Sequence, residues 1–185
     1  MKKTILALGL ISICVAARML PHPTNFAPIA AAALFAGVFI RSFWLALALP
    51  LGALLVGDSL IGFYDGKTMA AVYFGLSVPP LLIARVFMKT KPGVLGIALG
   101  SLSSSVAFFL ISNGAVWAFS SLYVHNPAGI GQCFAAALPF FRNTAVGDLF
   151  WSAAFFGTHA AAALGARHLK TAKSRQVQAA LPVCA

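Results

Sequence analysis

The sequence predicts an all-α membrane protein: a bundle of six transmembrane helices with the N- and C-termini in the cytoplasm. Three observations predict it. Apolar residues make up 61% of the chain and charged residues 9%, with a mean hydropathy of +0.92. Soluble domains carry about 25% charged residues, so this chain has too little polar surface to cover a water-soluble globule. The apolar residues fall in six runs, parted by short polar breaks rich in proline and glycine. The 13 Lys and Arg residues gather at the ends of those runs, against three acids, Asp58, Asp65 and Asp148. A net charge of +10 distributed in this way reads as membrane topology, not as a nucleic-acid surface.

The first span is placed at residues 4–20. Its Met-Lys-Lys start and apolar core share the pattern of a secretory signal peptide. The run continues through Met19 and Leu20, which favours a short span with snorkelling ends, Arg18 among them. Residues 21–31, PHPTNFAPIAA, break the apolar pattern. Pro21, Pro23 and Pro28 remove three backbone donors and fix φ, so this is a rigid non-helical turn carrying His22 and Asn25. The second helix, 28–40, has Ala32 and Ala36, and Ala33 and Gly37, four apart, small residues that let helix backbones approach in lipid. The third helix, 43–63, contains Pro50 and, near its end, Asp58. A carboxylate at that depth is costly in lipid and is expected to face the bundle interior. There it pairs with Arg18 or Arg142, caps a helix, or touches a ligand.

Tyr64-Asp65-Gly66-Lys67 is a turn. The fourth helix, 68–87, is expected to break or kink at Pro79-Pro80, with Arg85, Lys89 and Lys91 at its end. The fifth, 94–119, carries Gly96, Gly100 and a run of serines suited to inter-helix packing. Asn113 and Trp117 are four apart on one of its faces, placed to hold a planar ligand. For Trp117 an interfacial belt is the competing role. Residues 120–143 are expected to be the longest loop, with the apolar piece GQCFAAALPFF lying in the interface or forming a lid. The sixth helix is placed at 144–166, with Thr144 as its cap and Asp148 near its positive end. His159 is expected to pack beside the small residues Gly157, Ala161 and Gly165. Residues 167–185 form a basic tail, expected to be disordered and cytoplasmic. The three cysteines, Cys14, Cys133 and Cys184, lie far apart and match no metal spacing. No cofactor is implied, and no metal-binding or catalytic motif is found.

With the N-terminus inside, ten basic residues are cytoplasmic (Lys2, Lys3, Arg41, Arg85, Lys89, Lys91, Arg167, Lys170, Lys173, Arg175) and three are outside (Arg18, Lys67, Arg142). This orientation gathers the polar residues at one mouth. His22, Asn25, Arg142, Asn143 and Trp117 fall at the outer side, with Asp58, Asn113 and Asp148 at shallow depth beneath. These eight are the candidate ligand-binding residues. Helix insertion has no need of such a cluster, so its convergence points to a small-molecule site.

Four segments, PHPTNFAPIAA-x-A-x-F, GDSLIGF, FFLISNGAVW and LPFFRNTAVGDLF, resemble an uncharacterised family of small bacterial membrane proteins over most of residues 18–157. That family is in turn similar to the substrate-binding S components of energy-coupling factor transporters. The resemblance implies a subunit of the bacterial inner membrane that captures a vitamin-like micronutrient from outside. It implies docking to a transmembrane coupling subunit driven by two ATPase subunits. The chain itself has no Gly-x-x-x-x-Gly-Lys-Ser/Thr loop. The Ala-x-x-x-Ala docking stripe of S components has Ser12-x-x-x-Ala16 as its nearest counterpart here. The competing classes are a structural or assembly partner, whose polar cluster serves packing alone, and a membrane enzyme using His22, His125, Asp58 and Asp148.

Overall fold

The structure, a computed structural model, describes residues 2–21, 23–88 and 92–180. Its six helices are α1 (Lys2–Met19), α2 (Ile29–Phe39), α3 (Phe43–Ile61), α4 (Gly66–Phe87), α5 (Val94–Phe119) and α6 (Pro127–Ala180), and no strand occurs among the described residues. Four helices are long and apolar enough to cross a membrane: α3, α4, α5 and the Pro127–His168 part of α6. The described apolar parts of α1 and α2, Gly9–Met19 and Ile29–Phe39, are shorter.

Consecutive helices alternate in direction, and side-chain contacts show which ends lie together. At one pole Arg18, in the last turn of α1, pairs with Asp58 in the last turn of α3. Tyr73, early in α4, donates to the same carboxylate at 2.8 Å. Lys67 at the start of α4 sits 5.6 Å from the centroid of Phe119 at the end of α5. At the opposite pole Arg85, in the last turn of α4, donates to the carbonyls of Ile40 (2.7 Å) and Arg41 (3.1 Å) just past α2. Its guanidinium also lies 5.8 Å from the centroid of Phe43, where α3 begins. The connection between α3 and α4 is tightened by Asp65, whose carboxylate accepts from the Thr68 amide at 2.9 Å. That amide holds the Asp65 carboxyl below the usual carboxylate range.

The centre of the bundle is α2. It contacts every other helix, and Ile29 to Gly37 are all buried. Its sequence explains the position. Four consecutive alanines, Ala30 to Ala33, make a thin helix that neighbours approach closely. Phe35 and Phe39 then fill the far side, with ring centroids 5.3 Å from Phe35 to Phe156 and 5.7 Å from Phe39 to Phe156. The His159 ring lies against this cluster, its centroid 4.0 Å from that of Phe39, but the residue is exposed, so it caps the aromatic cluster from outside instead of packing within the bundle. With 11 residues α2 is about 16 Å long, roughly half of the ~30 Å hydrocarbon core, so it is a core helix first.

Several boundaries differ from those the sequence predicts. Residues 127–143 are not a loop but the first third of α6. They run antiparallel to α5, with Phe134 and Phe141 on Phe109 at 5.4 and 4.9 Å and the Cys133 thiol donating to the Asn113 carbonyl at 3.4 Å. Thr144 is therefore no cap. It lies inside the helix, and its hydroxyl donates to the Phe140 carbonyl one turn back. Asp148 is likewise mid-helix. Residues 167–180 continue α6 instead of forming a disordered tail, and 181–185 lie outside the described residues. Pro139 lies inside α6, and Pro79 and Pro80 lie inside α4, so the break predicted at Pro79-Pro80 does not occur; a bundle tolerates prolines within its helices.

Candidate functional site

The eight residues predicted to share one site divide into separate groups. His22 lies outside the described residues. Asn25 and Asn113 come together at the wall of a cavity of about 200 Å³, partly open, at the pole where α5 ends. Its other walls are Val72 of α4, Phe108, Phe109 and Ser112 of α5, and Ala137, Phe140, Phe141 and Thr144 of α6. An apolar enclosure with a few polar groups is the usual make-up of a small-molecule pocket. The volume falls below the ~300–1,000 Å³ of pockets for drug-sized ligands, so a small solute fits.

The polar wall is built by helix geometry. Ser112 and Asn113 are adjacent on α5, and each bonds the carbonyl four residues back, the hydroxyl to Phe108 at 2.7 Å and the amide nitrogen to Phe109 at 2.8 Å. Thr144 faces them from α6, bonded in the same way to Phe140 at 3.0 Å. Asn25 reaches the cavity from the proline-rich connection between α1 and α2. Its φ of 64° is left-handed, a conformation that asparagine tolerates better than other non-glycine residues. The turn itself therefore calls for this residue type, independently of any ligand.

The connection is docked onto α6 by Phe26. Its ring lies 5.6 Å from that of Phe150, and a Cβ on Gly147 would fall 3.1 Å from the Phe26 Cα. A side chain at 147 therefore meets backbone, not a flexible side-chain end. Gly147→Val is expected to displace the connection and destabilise the protein by about 1–3 kcal/mol, the usual cost of overpacking. Reversible unfolding in mixed micelles measures it, and an unchanged midpoint would show that the connection rides free of α6.

Asp58 is not at the cavity. Its side chain is 3% exposed, and both oxygens are engaged, one by Arg18 and one by the Tyr73 hydroxyl. Of the roles open to it in the sequence, pairing with Arg18 is the one observed. Gly57 leaves room for the pair, since a Cβ there would lie 3.2 Å from the Arg18 Nε and press on the guanidinium. Arg142 is exposed and forms no ion pair among the described residues, and the neighbouring Asn143 is half-buried. Neither lines the cavity. Asp148 is buried deeper along the α5–α6 seam, where it accepts from the Ser105 hydroxyl at 2.6 Å. Ser152 and Ser101 continue that seam, 3.4 Å apart. Trp117 shares a helix face with Asn113 but turns to the next connection. Its indole donates to the Val124 carbonyl at 3.2 Å, and its ring meets His125 edge-on at 5.6 Å.

Sequence reasoning missed Ser112, Thr144 as a wall residue, and the four phenylalanines. The available signal was the repeated Phe-Phe pair, Phe108-Phe109 and Phe140-Phe141, each followed within four residues by a small hydroxyl or amide residue. Reading 120–143 as a loop hid the second pair from its helical register.

Fold and cavity together define a class: an all-helical protein with several helices fit to cross a membrane and a small aromatic-walled cavity at one pole. A model of a family of unknown function (DUF6580) matches residues 1–172, and the chain belongs to that family. No curated protein and no solved structure matches the chain.

Proposed function

We propose that this protein captures a small molecule from the outer side of a bacterial inner membrane, as the substrate-binding subunit of an uptake system. The cavity between α4, α5 and α6 carries the reading, because it sits at the pole that the charge bias assigns to the outside. In this topology the chain crosses six times, α2 with its extended flanks serving as the second passage, and both termini are cytoplasmic. The alternation of helix directions agrees with it, as does the placement of Arg41 and Arg85 together at the opposite pole. An S-component-like role adds a coupling subunit and ATPases as partners. Ser12 and Ala16 of α1 are exposed and thus free to meet such a partner.

The assembly reading draws on a different observation: Asp58 has both oxygens engaged inside the bundle, and Asp148 accepts from Ser105 across the α5–α6 seam, away from the cavity. Ligand-dependent stabilisation separates the two. The purified chain is expected to gain several degrees in thermal midpoint with at least one member of a panel of small polar-aromatic micronutrients. Ala137→Leu, which places extra carbons in the cavity, is expected to abolish that gain while keeping the ligand-free midpoint within a few degrees. A panel with no response, from protein that carries no co-purified solute, would leave the assembly reading standing alone.

A further inference from the structure

The polar groups of the cavity differ in what they have left to offer. A hydroxyl has one proton and two lone pairs. The protons of Ser112 and Thr144 are already engaged with the carbonyls of Phe108 and Phe140. What these two residues present is lone pairs. The Asn113 amide nitrogen donates one N–H to the Phe109 carbonyl, since only N–H can donate there, which leaves its Oδ1 and one further N–H for a ligand, and the exposed Asn25 side chain at the cavity wall carries both kinds of group. No Lys, Arg, His, Asp or Glu lines the cavity among the described residues. The basic side chains at the same pole are placed elsewhere: Arg18 on Asp58, Lys67 against Phe119, and Arg142 away from the cavity wall. An anionic ligand entering this space would lose its hydration without a counter-charge. The aromatic walls, negative on their faces, add no attraction for it.

From this we infer that the cavity selects a small, flat solute that donates hydrogen bonds and carries no anionic group, such as a phenol or an N–H heteroaromatic. The inference rests on the capture reading above. It goes further in assigning Ser112, Asn113 and Thr144 as the specificity-determining acceptors. Acceptors outnumber donors in this wall: an acceptor-only ligand finds only the amide N–H groups of Asn113 and Asn25, and each hydroxyl must give up its bond to the helix carbonyl to offer a proton. Facing a donor, it keeps that bond and gains a second.

The test uses the full chain in micelles, titrated with matched probes: indole against benzofuran, phenol against fluorobenzene, and benzoate as the anionic arm. Partition into detergent is removed by subtracting the response of Ala137→Leu. Indole and phenol are expected to bind at least about tenfold more tightly than their donor-less counterparts, and benzoate not to bind. Thr144→Val keeps the side-chain shape and removes one acceptor. It is expected to cut indole affinity several-fold and leave that of benzofuran unchanged. Equal binding of benzofuran and indole, or binding of benzoate, overturns the donor rule and leaves capture standing. Absence of binding by every probe and by the micronutrient panel overturns capture itself, and the donor rule with it.

Discussion

Asp58→Ala is expected to destabilise the bundle by about 3–5 kcal/mol, the range for leaving a buried charge without its partner. The carboxylate is 3% exposed and the Arg18 side chain 17%, so the carboxylate has almost no water to fall back on and the guanidinium little. Removing Asp58 strands the guanidinium among α1, α3 and the Tyr73 hydroxyl. Arg18→Leu strands the carboxylate instead, with Tyr73 as its remaining donor. The double variant Arg18→Leu/Asp58→Ala strands nothing charged. It is expected to be more stable than either single variant, because apolar replacement of a whole buried pair is often neutral. Tyr73→Phe removes one hydrogen bond to a charged group and is expected to cost about 1.5–3 kcal/mol. A double-mutant cycle read by reversible unfolding gives the coupling. Additive single losses of under about 0.5 kcal/mol each would mean that the pair is screened as at an open surface.

This triad also shows what was legible in the sequence. A lone acid near the end of an apolar run, with one arginine near the end of another, offered an ion pair beside a helix cap and a ligand contact. Asp58 had Arg18 and Arg142 as candidate partners, and only the fold decides between them. The helix boundaries were legible for a similar reason. For α5 the residues 94–119 are those predicted, since a glycine and a proline precede the run and polar residues follow it. Where the sequence misleads, the cause is local punctuation that packing overrides. The apolar piece GQCFAAALPFF, which contains Pro139 and is too short to span, reads as part of a loop. In the bundle Phe134 and Phe141 pack on Phe109, and the helix runs straight through.

The site was legible only in part. Asn25 and Asn113 were singled out as isolated amides in apolar surroundings, and both reach the cavity. Trp117 was grouped with them because it shares a helix face with Asn113, and Asp148 by depth alone. Depth says how far along a helix a residue lies, not which neighbour it faces. Trp117 is one turn beyond Asn113, yet it faces the connection to α6. Asp148 is one turn beyond Thr144, yet it faces Ser105 across the seam instead of the cavity. A single helical turn thus separates wall residues from packing residues on both helices.

Gly37→Ala is expected to be strongly destabilising, against the ordinary trend for glycine in a helix. Replacing an unhindered helical glycine with alanine gains up to about 1 kcal/mol in helix propensity. At Gly157, where a new Cβ meets nothing within 4 Å, Gly157→Ala is expected to be neutral or stabilising by that amount. At Gly37 the new Cβ would lie 2.5 Å from the Ala84 Cβ and 3.0 Å from the Leu81 carbonyl oxygen. Neither is the end of a flexible side chain, so α2 and α4 must separate. Separation is resisted, because Arg85 ties the end of α4 to the Ile40 and Arg41 carbonyls. It would also loosen α2 from the neighbours that enclose it. The clash is expected to outweigh the propensity gain, for a net loss of about 1–3 kcal/mol. Adding Ala84→Gly removes the nearer contact and is expected to restore part of the loss, while the Leu81 carbonyl keeps the rest. If Gly37→Ala instead matched Gly157→Ala, the close approach of α2 and α4 would not be what holds the central helix in place.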